Sequence, residues 1–276
     1  MRQLHVVLAL PALVLIASAQ APHPSFEAAS IKANRSGGSL IRLATPPGRF
    51  SAANVTLRML VREAYRRQDF RVVGGPSWME TARFDVEATA GSPVPFDENR
   101  AMLRTLLEDR FHLKTHTETR ELPIYVLSVA RRDAKLGDQI KPSGAECLPV
   151  TLPKGAPPPP PPPPGPRPAG APQCPSMLAP GNISGRKITI ARLVTTLSLF
   201  LSREVVDRTN LSGDFDLDLQ WLPDQPPPTD VRNAPTDGTA PPLFTAMQEQ
   251  LGMKLEPSRA PVEVLVIDGV EKPTED

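Results

Sequence analysis

The clearest pattern of apolar and polar positions along the chain is an amphipathic helix that occurs twice. Each copy keeps the i, i+3, i+4, i+7 spacing that is typical of a half-buried helix. The apolar positions are Leu57, Leu60, Val61, Ala64 and Tyr65 in the first copy, and Ile190, Leu193, Val194, Leu197 and Leu201 in the second. Thr56 and Thr189 precede these stripes, where a hydroxyl can accept a backbone N–H. The pattern predicts two helices with the same type of N-cap.

Each predicted helix is followed by the same further elements: an alternating strand, a second helix and two more strands. In the first copy these are residues 83–87, 100–111, 113–120 and 124–129, with a turn near Glu121 to Pro123; in the second they are 214–218, 243–251, 253–256 and 262–267. The order predicts an α+β fold of two related halves with mixed or antiparallel sheets.

The spacing between the two copies favours an internal duplication. It is 133 residues at the first helix, 131 at the alternating strand and 140 at Thr105 against Thr245. Identity between the copies is low, so chance similarity of two amphipathic α/β units stays open as the alternative.

Proline divides this pattern into pieces. The chain has 35 prolines in 276 residues, of which 15 lie within 149–180 and seven within 223–242. The eight consecutive prolines from Pro157 to Pro164 predict an extended polyproline II segment. The predicted domains are therefore a first half at 25–141, a proline-rich linker at 142–180 that separates the halves, and a second half at 181–273, interrupted by a proline-rich loop at 223–242.

The amino terminus predicts export. Arg2 precedes an apolar run over residues 4–17 that ends in Ala17-Ser18-Ala19. A basic start, a short apolar stretch and an A-x-A site are typical of a secretory signal peptide, which we expect to occupy residues 1–19. The run is shorter than a transmembrane helix. A retained anchor is the alternative; with cleavage we expect a periplasmic or secreted protein with no membrane span.

Export changes the interpretation of the two cysteines, Cys147 and Cys174. They bracket the most proline-rich part of the chain, and an oxidising compartment permits them to pair. We expect a structural disulfide there, with two free thiols as the alternative.

Charge and motifs narrow the function. The net charge of +1 argues against a nucleic-acid binder, which should carry a clear basic excess. The sequence contains no Walker loop, dinucleotide-binding glycine motif or G-x-S-x-G motif, so we expect no cofactor and favour a non-enzymatic role.

Two groups of residues are candidates for ligand binding. Arg58, Arg62 and Arg66 line one face of the first helix, where they can contact an anionic surface or form an ordinary solvated face. Trp78 follows the turn Val73-Gly74-Gly75-Pro76-Ser77, where it is either an exposed binding aromatic or a cap on the core.

Two further groups have weaker patterns. His112 and His116 could bind a metal only if the strand that carries them bends, because same-face residues four apart are too widely spaced for one ion. Asp214, Asp216 and Asp218 alternate with Phe215 and Leu217, which predicts the polar face of a strand rather than a calcium loop.

Several segments together resemble a known family: Phe-Glu-Ala-Ala-Ser-Ile-Lys at 26–32, residues 48–60, the turn at 73–78, residues 102–120, Val-Val-Asp-Arg-Thr-Asn-Leu-Ser-Gly-Asp-Phe-Asp at 205–216, and residues 243–273. They resemble a large family of exported bacterial proteins, expanded in acidobacteria, whose defining domain has no assigned function. The resemblance implies export and architecture, and it brings no catalytic residues.

The sequence as a whole favours an exported, non-enzymatic binding or interaction module. Its expected partner is another envelope protein or a peptide, bound by strand addition to a sheet edge. The alternative is a cell-envelope hydrolase whose acidic catalytic residues the sequence does not identify.

Overall fold

A computed structural model describes residues 23–131, 133, 135–144, 174, 176–223 and 240–273. The helices in this part of the chain are α1 (Leu57–Tyr65), α2 (Trp78–Thr81), α3 (Phe96–Phe111), α4 (Ile190–Leu201) and α5 (Leu243–Leu251). The strands are β1 (Ala28–Ala33), β2 (Arg42–Ala44), β3 (Arg49–Thr56), β4 (Val72–Gly74), β5 (Arg83–Thr89), β6 (Lys114–Val129), β7 (Ile140–Pro142), β8 (Ser176–Ala179), β9 (Asn182–Thr189), β10 (Val205–Asp207), β11 (Asp214–Gln220) and β12 (Met253–Gly269).

The strands form three four-stranded sheets. The first sheet has the order β1-β5-β3-β2 and the third has the order β7-β11-β9-β8, both antiparallel throughout. The central sheet, β10-β6-β12-β4, is mixed, because β10 and β4 run parallel to their neighbours while β6 and β12 are antiparallel. The predicted α+β class with mixed or antiparallel sheets is confirmed.

The two longest strands correct one expectation. Each was expected as two short strands, with a turn near Glu121 to Pro123 in the first half, and that was wrong. β6 and β12 are continuous and pair along their whole length, from Met253 opposite Val129 to Gly269 opposite Lys114. Each strand supplies the backbone partners of the other, so neither needs to fold back on itself at its prolines.

The long strands also connect two hydrophobic cores. The first core forms around α1 and α3, and the second around α4 and α5. Leu265 and Ile267, near the end of β12, lie in the first core, whereas Leu127, near the end of β6, lies in the second. Each core therefore contains apolar side chains from both halves of the sequence, and neither half buries its apolar face alone.

The helices α1 and α4 begin in the same way, as their sequence pattern predicts. Thr56 Oγ1 accepts a hydrogen bond from the backbone N–H of Met59 (3.3 Å), and Thr189 Oγ1 accepts one from Arg192 (3.1 Å). The strand before each cap contains a bulge with a non-glycine residue at positive φ, Asn54 at 58° and Lys187 at 52°. The two bulges lie 133 positions apart and occupy the same place relative to the caps.

An aspartate on the neighbouring strand holds each bulge. Asp85 Oδ1 accepts hydrogen bonds from the backbone N–H of Asn54 (2.8 Å) and from Asn34 Nδ2 (2.7 Å). Asp216 accepts the corresponding backbone N–H of Lys187 (3.3 Å). The side chain of Ser143 and that N–H stabilise the carboxylate, so the pKa of Asp216 lies below its ordinary value. The lowered pKa of Asp216 therefore follows from its structural hydrogen bonds to Ser143 and to the bulge.

Both proline-rich segments follow strands of the third sheet. The segment after β7 ends at β8, and these strands form opposite edges of the third sheet. Four residues of the predicted linker, Ser176–Ala179, form β8. The other segment connects β11 to α5, and at its ends the backbone N–H of Leu222 donates to Pro241 O (3.0 Å). The run Pro157–Pro164 lies outside the described residues, and the domain boundaries stay predictions.

Candidate functional site

The free edge of the first sheet is the most exposed apolar part of the described surface. β2 is an edge strand whose three residues are all exposed. Leu40, Ile41 and Leu43, which lie in and just before β2, are 65%, 40% and 39% exposed. An edge strand offers a row of backbone N–H and C=O groups to an incoming chain. Apolar side chains beside that row add a contact surface.

Local hydrogen bonds hold this edge in place. Asn54 Nδ2 donates to the carbonyl oxygens of Gly38 (2.8 Å) and Leu40 (3.2 Å), which lead into β2. Leu43 and Arg42 lie opposite Ala52 and Ala53 of β3. The buried Asn54 at the bulge thus links the exposed edge to the core of the first half, and the edge is preorganised.

A groove of about 340 Å³ runs between β2 and α1. Leu43 and Met59 contribute apolar surface to it, and Glu63 contributes a carboxylate. Its four cationic side chains are Arg62, Arg66, Arg67 and Arg100. The groove therefore combines apolar surface, backbone and positive charge beside a free strand edge.

The arginines of this region differ in how firmly they are held. Arg58 lies outside the groove, where it donates to Asp69 Oδ1 (2.8 Å) and to Val72 O (2.7 Å) and fixes the turn after α1. In the groove, Arg67 pairs with Glu263. Arg100 pairs with Glu63 at 3.1 Å, and its guanidinium carbon lies 3.7 Å from the centroid of the Phe96 ring. Arg58, Arg67 and Arg100 are therefore each held by close contacts within the fold.

Arg62 and Arg66 are held more loosely. Arg62 Nη1 lies 3.7 Å from Asp69 Oδ1, and Arg66 Nη1 lies 3.6 Å from Asp97 Oδ1. Arg62 Nε is buried and has no hydrogen-bond acceptor. Exposed ion pairs of this length contribute little to stability. Of the three predicted arginines, Arg62 and Arg66 therefore line the groove and have only long, weak ion pairs. Arg58 does not line the groove.

The corresponding edge strand of the third sheet, β8, is less exposed than β2 and carries no exposed large apolar side chain. Ser176 of β8 lies opposite Gly185, as Leu43 lies opposite Ala52, and both partner residues stand next to the bulge. Arg192, the third residue after the cap of α4, donates from Nη2 to Ser176 Oγ (3.0 Å). The third residue after the cap of α1, which corresponds to Arg192, is Met59. The four residues of β8 are only partly exposed.

Trp78 lies at the start of α2, half-buried against the first core. Lys272 Nζ lies 5.8 Å from the centroid of its ring. Trp78 is separate from the groove at β2, whose lining does not include it. Its position fits the alternative of an aromatic cap on the core.

The two histidines do not share a site. His112 ends α3 in the left-handed conformation (φ 48°), whereas His116 lies in β6. His116 Nδ1 is 2.8 Å from Asp268 Oδ1, and this hydrogen bond raises the pKa of the imidazole above its ordinary value. In the part of the chain that the structure describes, no three or more His, Cys, Asp or Glu side chains are grouped for metal binding.

Two predictions about export fall largely outside the described residues. Residues 1–19 are not described, and neither is Cys147, so the signal peptide and the Cys147–Cys174 disulfide stay predictions. Over the described ranges, no helix has both the length and the apolar composition needed to cross a bilayer.

The sequence interpretation missed β2. A three-residue strand is shorter than the four to eight residues that an alternating pattern needs. The one available signal was the group Leu40, Ile41 and Leu43 within an otherwise polar stretch.

The family comparison covers most of the fold. Residues 58–270 match the model of a family described as "Protein of unknown function (DUF3738)". No curated protein and no solved structure matches the chain.

Proposed function

The chain belongs to the DUF3738 family of proteins of unknown function, and we propose that this protein is an exported, non-enzymatic binding module. It captures an extended segment of another envelope protein by adding that segment to the first sheet as a strand beside β2. In this mode, main-chain hydrogen bonds supply affinity and alternate side chains supply specificity.

The observation that carries the proposal is the exposed apolar edge at β2. Among the described residues, six large apolar side chains are exposed, and three of them are Leu40, Ile41 and Leu43. The other edge of the first sheet, β1, has no large exposed apolar side chain, and β8 is partly covered. An exposed apolar edge is an aggregation risk unless it has a partner.

The export part of the proposal rests on the sequence. The A-x-A site after the apolar run and the resemblance to exported, acidobacterial-expanded proteins support a periplasmic or secreted location. In that compartment the Cys147–Cys174 disulfide would close a loop around the proline run, which mass spectrometry of the unreduced protein tests directly.

The repeated caps, bulges and aspartate contacts of the two halves support an origin by duplication. We propose that the second copy kept the scaffold and lost the exposed apolar side chains of that edge. No specific observation favours the hydrolase alternative. Within the described part of the chain, the two carboxyl groups with displaced pKa values are Glu118 and Asp216. Their hydrogen bonds with Arg120 and Ser143 lower the pKa, whereas a general acid needs a raised pKa.

The test is a peptide-display screen on the full chain without residues 1–19, followed by fluorescence anisotropy on the enriched peptides. We expect extended peptides whose affinity falls at least tenfold in Leu43→Asp. Leu199→Asp is the matched control, because Leu199 is also exposed but lies on α4. The proposal is overturned if no peptide is enriched, or if Leu43→Asp and Leu199→Asp bind as the parent does.

A further inference from the structure

We infer that the segment bound at β2 is acidic, with carboxylate side chains at alternate positions that pair with Arg62 and Arg66. This inference rests on the proposed function, since it names the class of partner for the same edge. It adds a specificity that strand addition alone does not require.

The position of Leu43 determines which side chains of the partner enter the groove. Leu43 belongs to β2 and also lines the groove against α1. Side chains on the same face of neighbouring strands lie beside one another, and every second residue of a strand is on that face. Alternate side chains of an added strand therefore project over Met59, Arg62 and Arg66.

The charge of the groove favours carboxylates at those positions. Its lining contains four arginines and one glutamate, and Arg42 adds an exposed cation in β2 itself. Outside the lining, Asp69, Asp97 and Glu263 pair with Arg62, Arg66 and Arg67, the first two only at 3.7 Å and 3.6 Å. Lysine or arginine on the partner would meet like charge, which suppresses wrong partners. The same cations disfavour a second copy of this edge, because β2 carries no acidic residue.

Arg62 and Arg66 are the arginines that can change partner at little cost. Arg66 is 62% exposed, and its ion pair with Asp97 is 3.6 Å long. Arg62 has only a 3.7 Å ion pair from Nη1 to Asp69, so its Nη groups can donate closer hydrogen bonds to an incoming carboxylate. Arg67 and Arg100 would have to leave closer partners.

The experiment measures the affinity of three synthetic peptides for the full chain without residues 1–19. The probes are fluorescein-labelled Thr-Val-Xaa-Val-Xaa-Val-Thr, with Glu, Gln or Lys at Xaa, in low and high salt. We expect the Glu peptide to bind about fivefold or more tightly than the Gln peptide, and the Lys peptide to bind most weakly. High salt should narrow the difference.

Arg66→Gln and Arg62→Gln should each weaken the Glu peptide about two- to fivefold and leave the Gln peptide unchanged. Arg131→Gln is the matched control, because Arg131 is 59% exposed and has a similar 3.6 Å ion pair with Asp133, away from the groove. Equal affinity for the Glu and Gln peptides, with both lost in Leu43→Asp, would overturn the acidic preference alone. Absence of any binding that depends on Leu43 would contradict the proposed function as well.

Discussion

The two halves of the molecule share a scaffold and differ at one edge. Both have a capped helix after a bulged strand, and both hold the bulge with an aspartate. At the equivalent edge strands, however, the first half has Leu43 beside Met59, whereas the second has Ser176 bonded to Arg192. The caps, bulges and aspartate contacts that determine the backbone are present in both halves. The side chains on the edge strands differ between the halves.

This difference shows where a binding site is to be sought. Features that both halves share have an explanation in the fold, because each half needs its caps and bulges. Features present in one half only need another explanation. The apolar edge and loosely paired arginines of the first half are such features, and the third sheet shows that the scaffold can form without them.

The largest expected effect tests whether the two halves are one unit. Leu60→Ala and Leu193→Ala remove equivalent, fully buried side chains of α1 and α4. Each should lower the free energy of unfolding by about 2–5 kcal/mol. Because β6 and β12 cross both cores, we expect one calorimetric transition that shifts in either variant. Two transitions, each sensitive to only one of the variants, would show that the halves unfold separately.

The helix caps should give equal, smaller effects. Thr56→Ala and Thr189→Ala each remove the hydroxyl that accepts a hydrogen bond from the third backbone N–H of a helix. Each should lower the free energy of unfolding in urea by about 1 kcal/mol. Thr→Ser at either position keeps the hydroxyl and is the control. If one cap proves several times more important than the other, the equivalence of the two helix starts is wrong.

The ion pair between Arg71 and Glu204 joins the halves directly. Arg71 precedes β4 and Glu204 precedes β10, and both Nε and Nη2 of Arg71 donate to Glu204 Oε2. A double-mutant cycle with Arg71→Ala and Glu204→Ala should give a coupling free energy of up to about 1 kcal/mol. A cycle on Arg131 and Asp133, both more exposed, is the control and should give a coupling near zero. Equal coupling free energies in the two cycles would show that the Arg71–Glu204 contact does not stabilise the packing of the two halves.

The smallest expected effect is a pH response at one end of the central sheet. Asp268 raises the pKa of His116 in the folded state, so this pair adds stability at pH values below the unfolded histidine pKa of about 6.5. That stability is lost as the pH rises through the folded pKa. The position 140 residues later is Glu256, which pairs with Lys254. An NMR titration should show the pKa of His116 falling in Asp268→Asn; an unchanged value would contradict the assignment.

The sequence predicted local elements well where the pattern was long. The stripe from Leu57 to Tyr65 coincides with α1, and residues 243–251 coincide with α5. It did not predict that β6 and β12 are continuous, because prolines such as Pro123 and Pro261 normally mark strand ends, whereas here the partner strand pairs across them.

The exchange of apolar side chains between the cores was also beyond the sequence. Leu127 and Leu265 lie in strands whose alternation indicates a buried face but does not identify the core they join. The candidate site was predicted in part. Periodicity identified Arg62 and Arg66, but it gave Arg58 the same status, and only its hydrogen bonds to Asp69 and Val72 separate it from them.

Amide hydrogen exchange on the full chain without residues 1–19 tests the central claim most directly. The measurement compares exchange with and without the tightest peptide from the display screen, by mass spectrometry. We predict that the peptide slows exchange in β2 and leaves β8 unchanged, because β2 is more exposed than β8 and has the large exposed apolar side chains in and just before it. The claim that the halves differ in function at this edge would be contradicted by any of three results. These are slower exchange in β8 alone, equal slowing in β2 and β8, and no slowing in either strand.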